Sequence, residues 1–133
     1  MHRKFVIIIE KAGNNYIASV PALYGCRSLT KKFDKVAESV RRAIINYLKK
    51  EEYEEPADFF GIQVIKVRGK EFTAAIEKSG KYYIACVPTV SGCFTQAGTV
   101  NMVVKNIREL LEFYSKEKNL INARFIGMQT VEI

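Results

Sequence analysis

The sequence predicts an α/β protein of the α+β type, built from two tandem β-β-β-α-β units that pack together as one globular intramolecular pseudo-dimer. Three observations predict it. The chain matches itself at a fixed shift, the period of its apolar pattern changes within each half, and no tether separates the halves. Sliding the 133 residues by 67 positions aligns Phe5 with Phe72, Ile9-Glu10-Lys11 with Ile76-Glu77-Lys78, and Tyr16-Ile17-Ala18 with Tyr83-Ile84-Ala85. The alignment runs on without a gap through Val20-Pro21 and Val87-Pro88, Gly25-Cys26 and Gly92-Cys93, Arg41 and Arg108, and Tyr47 and Tyr114. A one-residue slip aligns Gly61-Ile62-Gln63 with Gly127-Met128-Gln129. The repeats are therefore 1–68 and 69–133, joined only by Arg68-Gly69-Lys70-Glu71, which reads as a tight turn.

Each element follows from local pattern. Phe5 to Lys11 and Tyr16 to Val20 are rich in β-branched and aromatic residues, and Ala12-Gly13-Asn14-Asn15 between them predicts a β-hairpin. Phe72 to Lys78, Ser79-Gly80-Lys81 and Tyr82 to Val87 repeat it. Pro21 and Pro88 end the second strand, because proline cannot donate a ladder hydrogen bond. A short third strand starts at Cys26 or Cys93.

From about Lys32, the residues Phe33, Val36, Ala37, Val40, Ile44, Tyr47 and Leu48 recur at three and four, the stripe of an amphipathic helix. The second stripe is Val100, Val103, Val104, Ile107, Leu111 and Tyr114, with Thr99 as N-cap. Pro56 ends the first helical region, and a last strand follows in each repeat, Ile62 to Arg68 and Gly127 to Ile133. The expected topology pairs the first and fourth strands of each repeat in parallel, with the helix as a right-handed crossover. Phe5, Ile7 and Ile9 face one way while Val6 and Ile8 face the other, so one helix covers only one face and repeat-to-repeat packing is expected on the other.

Composition narrows the function. Hydrophobic residues make up 48% and charged residues 26%, enough apolar material for a core. No apolar run approaches the roughly 20 residues that span a bilayer, and Met1-His2-Arg3-Lys4 leads into a stretch too short for a signal peptide, so a cytoplasmic protein without membrane association is expected. Cys26, Cys86 and Cys93 form no C-x-x-C pair, and His2 alone cannot complete a zinc or nucleophile-base site. No catalytic residue, cofactor or metal site is predicted, and the cysteines read as small buried hydrophobes.

Glu10 and Glu77 fall at equivalent positions, each followed by a lysine, and read as strand-end ion pairs or solvated carboxylates. Lysine and arginine outnumber acids 21 to 14, a net +7, which makes nucleic acid a candidate partner. The residues that would carry it are Lys31, Lys32, Lys35, Arg42 and Lys49, three of which recur every seven residues along one edge of the first helix. An ordinary solvated face is the competing reading, and Glu51, Glu52, Glu54 and Glu55 follow at once. Tyr82 and Tyr83 beside Lys81 suggest base stacking, but Tyr83 repeats Tyr16 and reads as core.

The order strand, Glu10-Lys11, Gly13, Tyr16-Ile17-Ala18, Val20-Pro21-Ala22-Leu23, Gly25-Cys26, then a helix with Ala37 and Ala43, resembles the N-terminal domain of HicB-type antitoxins. Val87-Pro88-Thr89-Val90 and Gly92-Cys93-Phe94-Thr95 resemble it less closely. The resemblance implies a partial ribonuclease-H-like fold and a role in neutralising a small HicA-like, RNA-cleaving toxin by covering its surface. Further homo-oligomerisation is open. Family members commonly carry a DNA-binding segment after this domain, and none is expected after Val67 or Ile133. The family's acidic positions at the helix start are here Lys31, Lys32 and Lys35 with Asp34, and Thr99, Asn101 and Met102.

Overall fold

Two four-stranded antiparallel sheets, each carrying one helix, organise the chain in a computed structural model that describes residues 3–50, 57–117 and 120–133. In chain order the elements are β1 (Lys4–Ala12), β2 (Asn15–Ser19), β3 (Arg27–Thr30), a 3-10 turn (Phe33–Lys35), α1 (Val36–Lys50) and β4 (Asp58–Val67). They continue as β5 (Lys70–Ser79), β6 (Tyr82–Cys86), β7 (Phe94–Ala97), α2 (Val100–Tyr114) and β8 (Arg124–Glu132). The calls on His2, Glu51, Glu52, Glu54, Glu55 and Pro56 lie outside the described residues.

The alternation of apolar and polar residues sets the strands. In the first sheet β1 pairs antiparallel with β2 from Ile8↔Ser19 to Ala12↔Asn15, and β2 pairs with β3 from Tyr16↔Thr30 to Ser19↔Arg27. The second sheet repeats this register at the 67-residue shift, with Ala75↔Cys86 to Ser79↔Tyr82 and Tyr83↔Ala97 to Cys86↔Phe94. The third strands start one residue later than expected, at Arg27 and Phe94.

The fourth strands correct the expected topology. β4 pairs antiparallel with β5, from Val67↔Lys70 to Asp58↔Lys78 with a bulge between Phe59 and Gly61, so it belongs to the sheet of the second repeat. β8 lies beside β1, where Arg3 and Ile133 exchange N–H···O bonds of 3.2 and 2.8 Å, an antiparallel pairing. The compact units are Met1–Pro56 with Phe125–Ile133, and Ala57–Arg124, so they do not follow the sequence repeats 1–68 and 69–133. The reason is the turn. Arg68 and Gly69 both have positive φ, 53° and 78°, the pattern of a two-residue type I′ hairpin, and strands joined this way must be antiparallel neighbours.

Each helix covers one face of its sheet. In the first unit Val36, Val40 and Ile44 pack on Phe5, Ile7, Ile9, Ala18, Val20, Leu23, Cys26 and, from β8, Val131. In the second, Val103, Ile107 and Leu111 pack on Phe72, Ala74, Ile76, Ala85 and, from β4, Ile65 and Val67. Thr99 caps α2 as expected, its Oγ1 accepting from Met102 N at 3.1 Å. α1 starts later than the stripe suggested. Phe33 falls in the 3-10 turn, half-exposed and edge-on to Tyr16 at 5.5 Å, and Ala37 is exposed. Among the described residues no helix is long and apolar enough to cross a membrane.

Candidate functional site

The segment between the second and third strands has the same closed geometry in both units. Val20 N donates to Cys26 O at 3.0 Å, Leu23 N to Val20 O at 3.0 Å, and Cys26 N to Leu23 O at 2.9 Å. Val87, Val90 and Cys93 make the equivalent three bonds at 3.0, 3.0 and 3.1 Å. The turn requires a left-handed residue just before the cysteine, and Gly25 and Gly92 supply it with φ of 79° and 78°. Proline after the valine loses no bond here, because the loop has already left the ladder.

A surface groove of about 240 Å³ opens beside this turn in the first unit, lined by Gly25, Cys26, Arg27, Ala43, Asn46, Tyr47 and Lys50. Its floor is the turn and its walls are the start of β3 and the last two turns of α1. In the second unit the positions equivalent to Arg27, Ala43, Asn46, Tyr47 and Lys50 are Phe94, Leu110, Phe113, Tyr114 and Glu117. Phe94 and Phe113 are 56% and 67% exposed, so one location is polar in one unit and aromatic in the other.

The five basic residues singled out in the sequence are all exposed but do not converge. Lys31 and Lys32 lie in the approach to the 3-10 turn, where Lys32 N donates to Thr30 Oγ1 at 3.3 Å. Lys35, Arg42 and Lys49 follow one edge of the helical segment over about 20 Å. Lys35 pairs with Glu38 at 3.8 Å. Arg27 and Lys50, which the sequence reading did not include as site residues, are the cations that share the groove. The signal for Lys50 was available in the spacing, since it lies within a turn of Lys49 on the helix surface, whereas Arg27 lies on β3 and had none.

Glu10 and Glu77 are buried rather than solvated, 1% and 9% exposed. They alternate with the helix-facing residues Ile9 and Ile76 and so point to the opposite sheet face. Burial pushes the Glu77 carboxyl above its ordinary value. The lysines that follow lie over tyrosine rings, Lys11 at 5.3 Å from Tyr16 and Lys78 at 5.5 Å from Tyr83. Tyr83 is half-buried and packs on the core, with Phe60 edge-on at 5.2 Å, while Tyr82 is exposed.

All three cysteines are free, with Cys26 and Cys93 buried and Cys86 half-buried. Burial pushes the Cys26 and Cys93 thiols up to about 11. Cys86 is raised to about 12, first by burial and then by the charges of Glu77 and Cys93. These are poor nucleophiles and poor metal ligands at neutral pH. Among the described residues no group of three or more histidines, cysteines and acids is placed to hold a metal ion.

No family model matches the chain, and no solved structure does. A UPF0150 protein of Archaeoglobus fulgidus is 39% identical over 66 residues, which cover 49% of this chain and 96% of that protein. A UPF0150 protein of Synechocystis sp. is 35% identical over 66 residues, covering 48% of this chain and 96% of its own length. Each relative therefore has about the length of one sequence repeat of this chain. With identity at this level across nearly the whole of a relative, the chain belongs to the UPF0150 family.

Proposed function

We propose that this chain is a tandem duplication of a HicB-like antitoxin module, which binds and neutralises a small RNA-cleaving HicA-like toxin and has no catalysis of its own. The observation that carries the reading is the Val20–Cys26 turn, a constrained loop of the HicB-like pattern that recurs with the same hydrogen bonds at Val87–Cys93. Relatives the length of one repeat support the duplication. Each unit is then a partial ribonuclease-H-like module of three meandering strands and a helix, completed by the fourth strand of the other repeat. A rigid loop held between a helix and a sheet presents side chains at little ordering cost, which suits a protein-binding surface.

Such a protein acts in the cytoplasm beside its toxin. The test is co-expression of the tagged full chain with the product of any adjacent small gene, followed by purification on one tag. The reading requires co-elution of the two chains and suppression of RNA cleavage by the complex. A partner that never co-elutes ends it.

A further inference from the structure

We infer that the β3–α1 face of the first unit binds the phosphodiester backbone of a nucleic acid, a role that goes beyond protein binding and stands independently of it. The argument starts from the groove. Arg27 and Lys50 border it together with the Asn46 amide and the Cys26 turn. On a helix, residue 42 lies about 40° from residue 46, and residue 49 about 20° beyond 42, so Arg42 and Lys49 form the outer bank of the same groove. All four cations are exposed, and none makes an ion pair with a described residue. Cations around a shallow concavity with an amide donor suit a phosphate oxygen, whose several acceptor sites take charge-assisted bonds from arginine and lysine together.

The second unit supplies the comparison. At the positions equivalent to Arg27, Arg42, Lys49 and Lys50 it carries Phe94, Glu109, Lys116 and Glu117. The backbone pairing there is the same, residue for residue, so the fold does not require the cations. The first unit carries four positive charges where the equivalent positions of the second carry one positive charge and two carboxylates. The difference lies in the side chains and not in the backbone, and it leaves the first unit's face as the one suited to a polyanion. Spacing agrees with a polymer rather than a single small anion. Arg42 and Lys49 are about 10 Å apart along the helix, too far to share one phosphate and near enough to hold neighbouring ones.

The test is fluorescence anisotropy of a labelled 20-nucleotide oligouridylate with the full chain over a salt series, with a deoxythymidylate of the same length and a DNA duplex as parallel arms. The tightest of the three names the nucleic acid. The variant R27F/R42E/K50E installs what the second unit carries, and R42A/K50A gives a milder second variant should the first fail to fold. Wild type is expected to bind with a linear log–log salt dependence, and R27F/R42E/K50E to lose affinity roughly tenfold or more and to flatten the slope by about 2, at ~0.7 ion per lost contact with a single strand. K70A/K105A, which removes two cations that do not line the groove, keeps the wild-type slope. The inference is overturned if wild type binds none of the three probes at low salt, or if R42A/K50A leaves the slope unchanged. It is also overturned if polyglutamate of matched charge competes as well as the oligonucleotide, which would mark an acidic-protein surface. Toxin co-elution is read separately, so either reading can fail alone.

Discussion

Lys4 Nζ on β1 lies 3.8 Å from Glu132 Oε1 on β8. The equivalent site of the other sheet, Lys66 and Glu71, has the same 3.8 Å separation with the charges exchanged between first and fourth strands. The polarity matches the observed pairing: β4 placed against β1 would oppose Lys66 to Lys4, and β8 against β5 would oppose Glu132 to Glu71. The pairs are solvent-exposed, so each contributes only about 0.2–1 kcal/mol. Lys4→Glu should lower stability by about that much, and Lys4→Glu combined with Glu132→Lys should restore it, as urea-unfolding midpoints will measure.

The exchanged strands make a stronger prediction for the core. Ile65 belongs by sequence to the first repeat but is fully buried in the core of the second unit. Ile65→Ala should cost about 2–5 kcal/mol, and hydrogen exchange should show the loss first at α2 amides rather than at α1. Faster exchange confined to α1 would contradict the strand assignment.

Arg68 is the one described non-glycine residue with positive φ, and a side chain there is strained. Arg68→Asn keeps the turn with a residue suited to it. Thermal unfolding should show a gain that is a part of the ~1–2 kcal/mol an ordinary side chain costs in this conformation.

Because burial raises the Glu77 carboxyl in the folded state, the folded protein holds a proton at pH values where the unfolded chain has released it. Stability from this group is therefore present below the ordinary glutamate value of about 4.3 and declines as pH rises through the raised one. Glu77→Gln should stabilise the protein at neutral pH and change little at pH 3, which urea titrations at the two pH values will compare.

With thiols raised to about 11 and 12, thiolate at pH 8 is on the order of a thousandth or less at each cysteine. Alkylation of the folded chain by iodoacetamide at pH 8 should be slow for all three and complete within minutes in denaturant. Mass spectrometry of the time course reads it directly.

Much was written locally. Both hairpins, Thr99 as a cap and the apolar stripes Val36-Val40-Ile44 and Val103-Ile107-Leu111 depend on residues close in the chain, and periodicity reports those. Element ends moved by a few residues: β4 begins at Asp58 instead of Ile62, and α1 at Val36 after a 3-10 turn. The groove was only half legible. Lys49 and Arg42 stood out by their seven-residue spacing, while Arg27 lies 23 positions before Lys50 and reaches it only because β3 and α1 run back past one another.

By itself the sequence determined that two like sets of strands and a helix would form, since strand and helix propensities, turn glycines and apolar period act over a few residues. Tertiary structure alone decided which strand completes which sheet. A strand's alternation states what faces the core but not whose edge it joins, and here the two-residue turn at Arg68-Gly69 sent β4 to β5 and left β1 for β8. It also decided that Glu10 and Glu77 are buried, because a carboxylate's neighbourhood depends on everything that covers it, not on the lysine beside it in the chain.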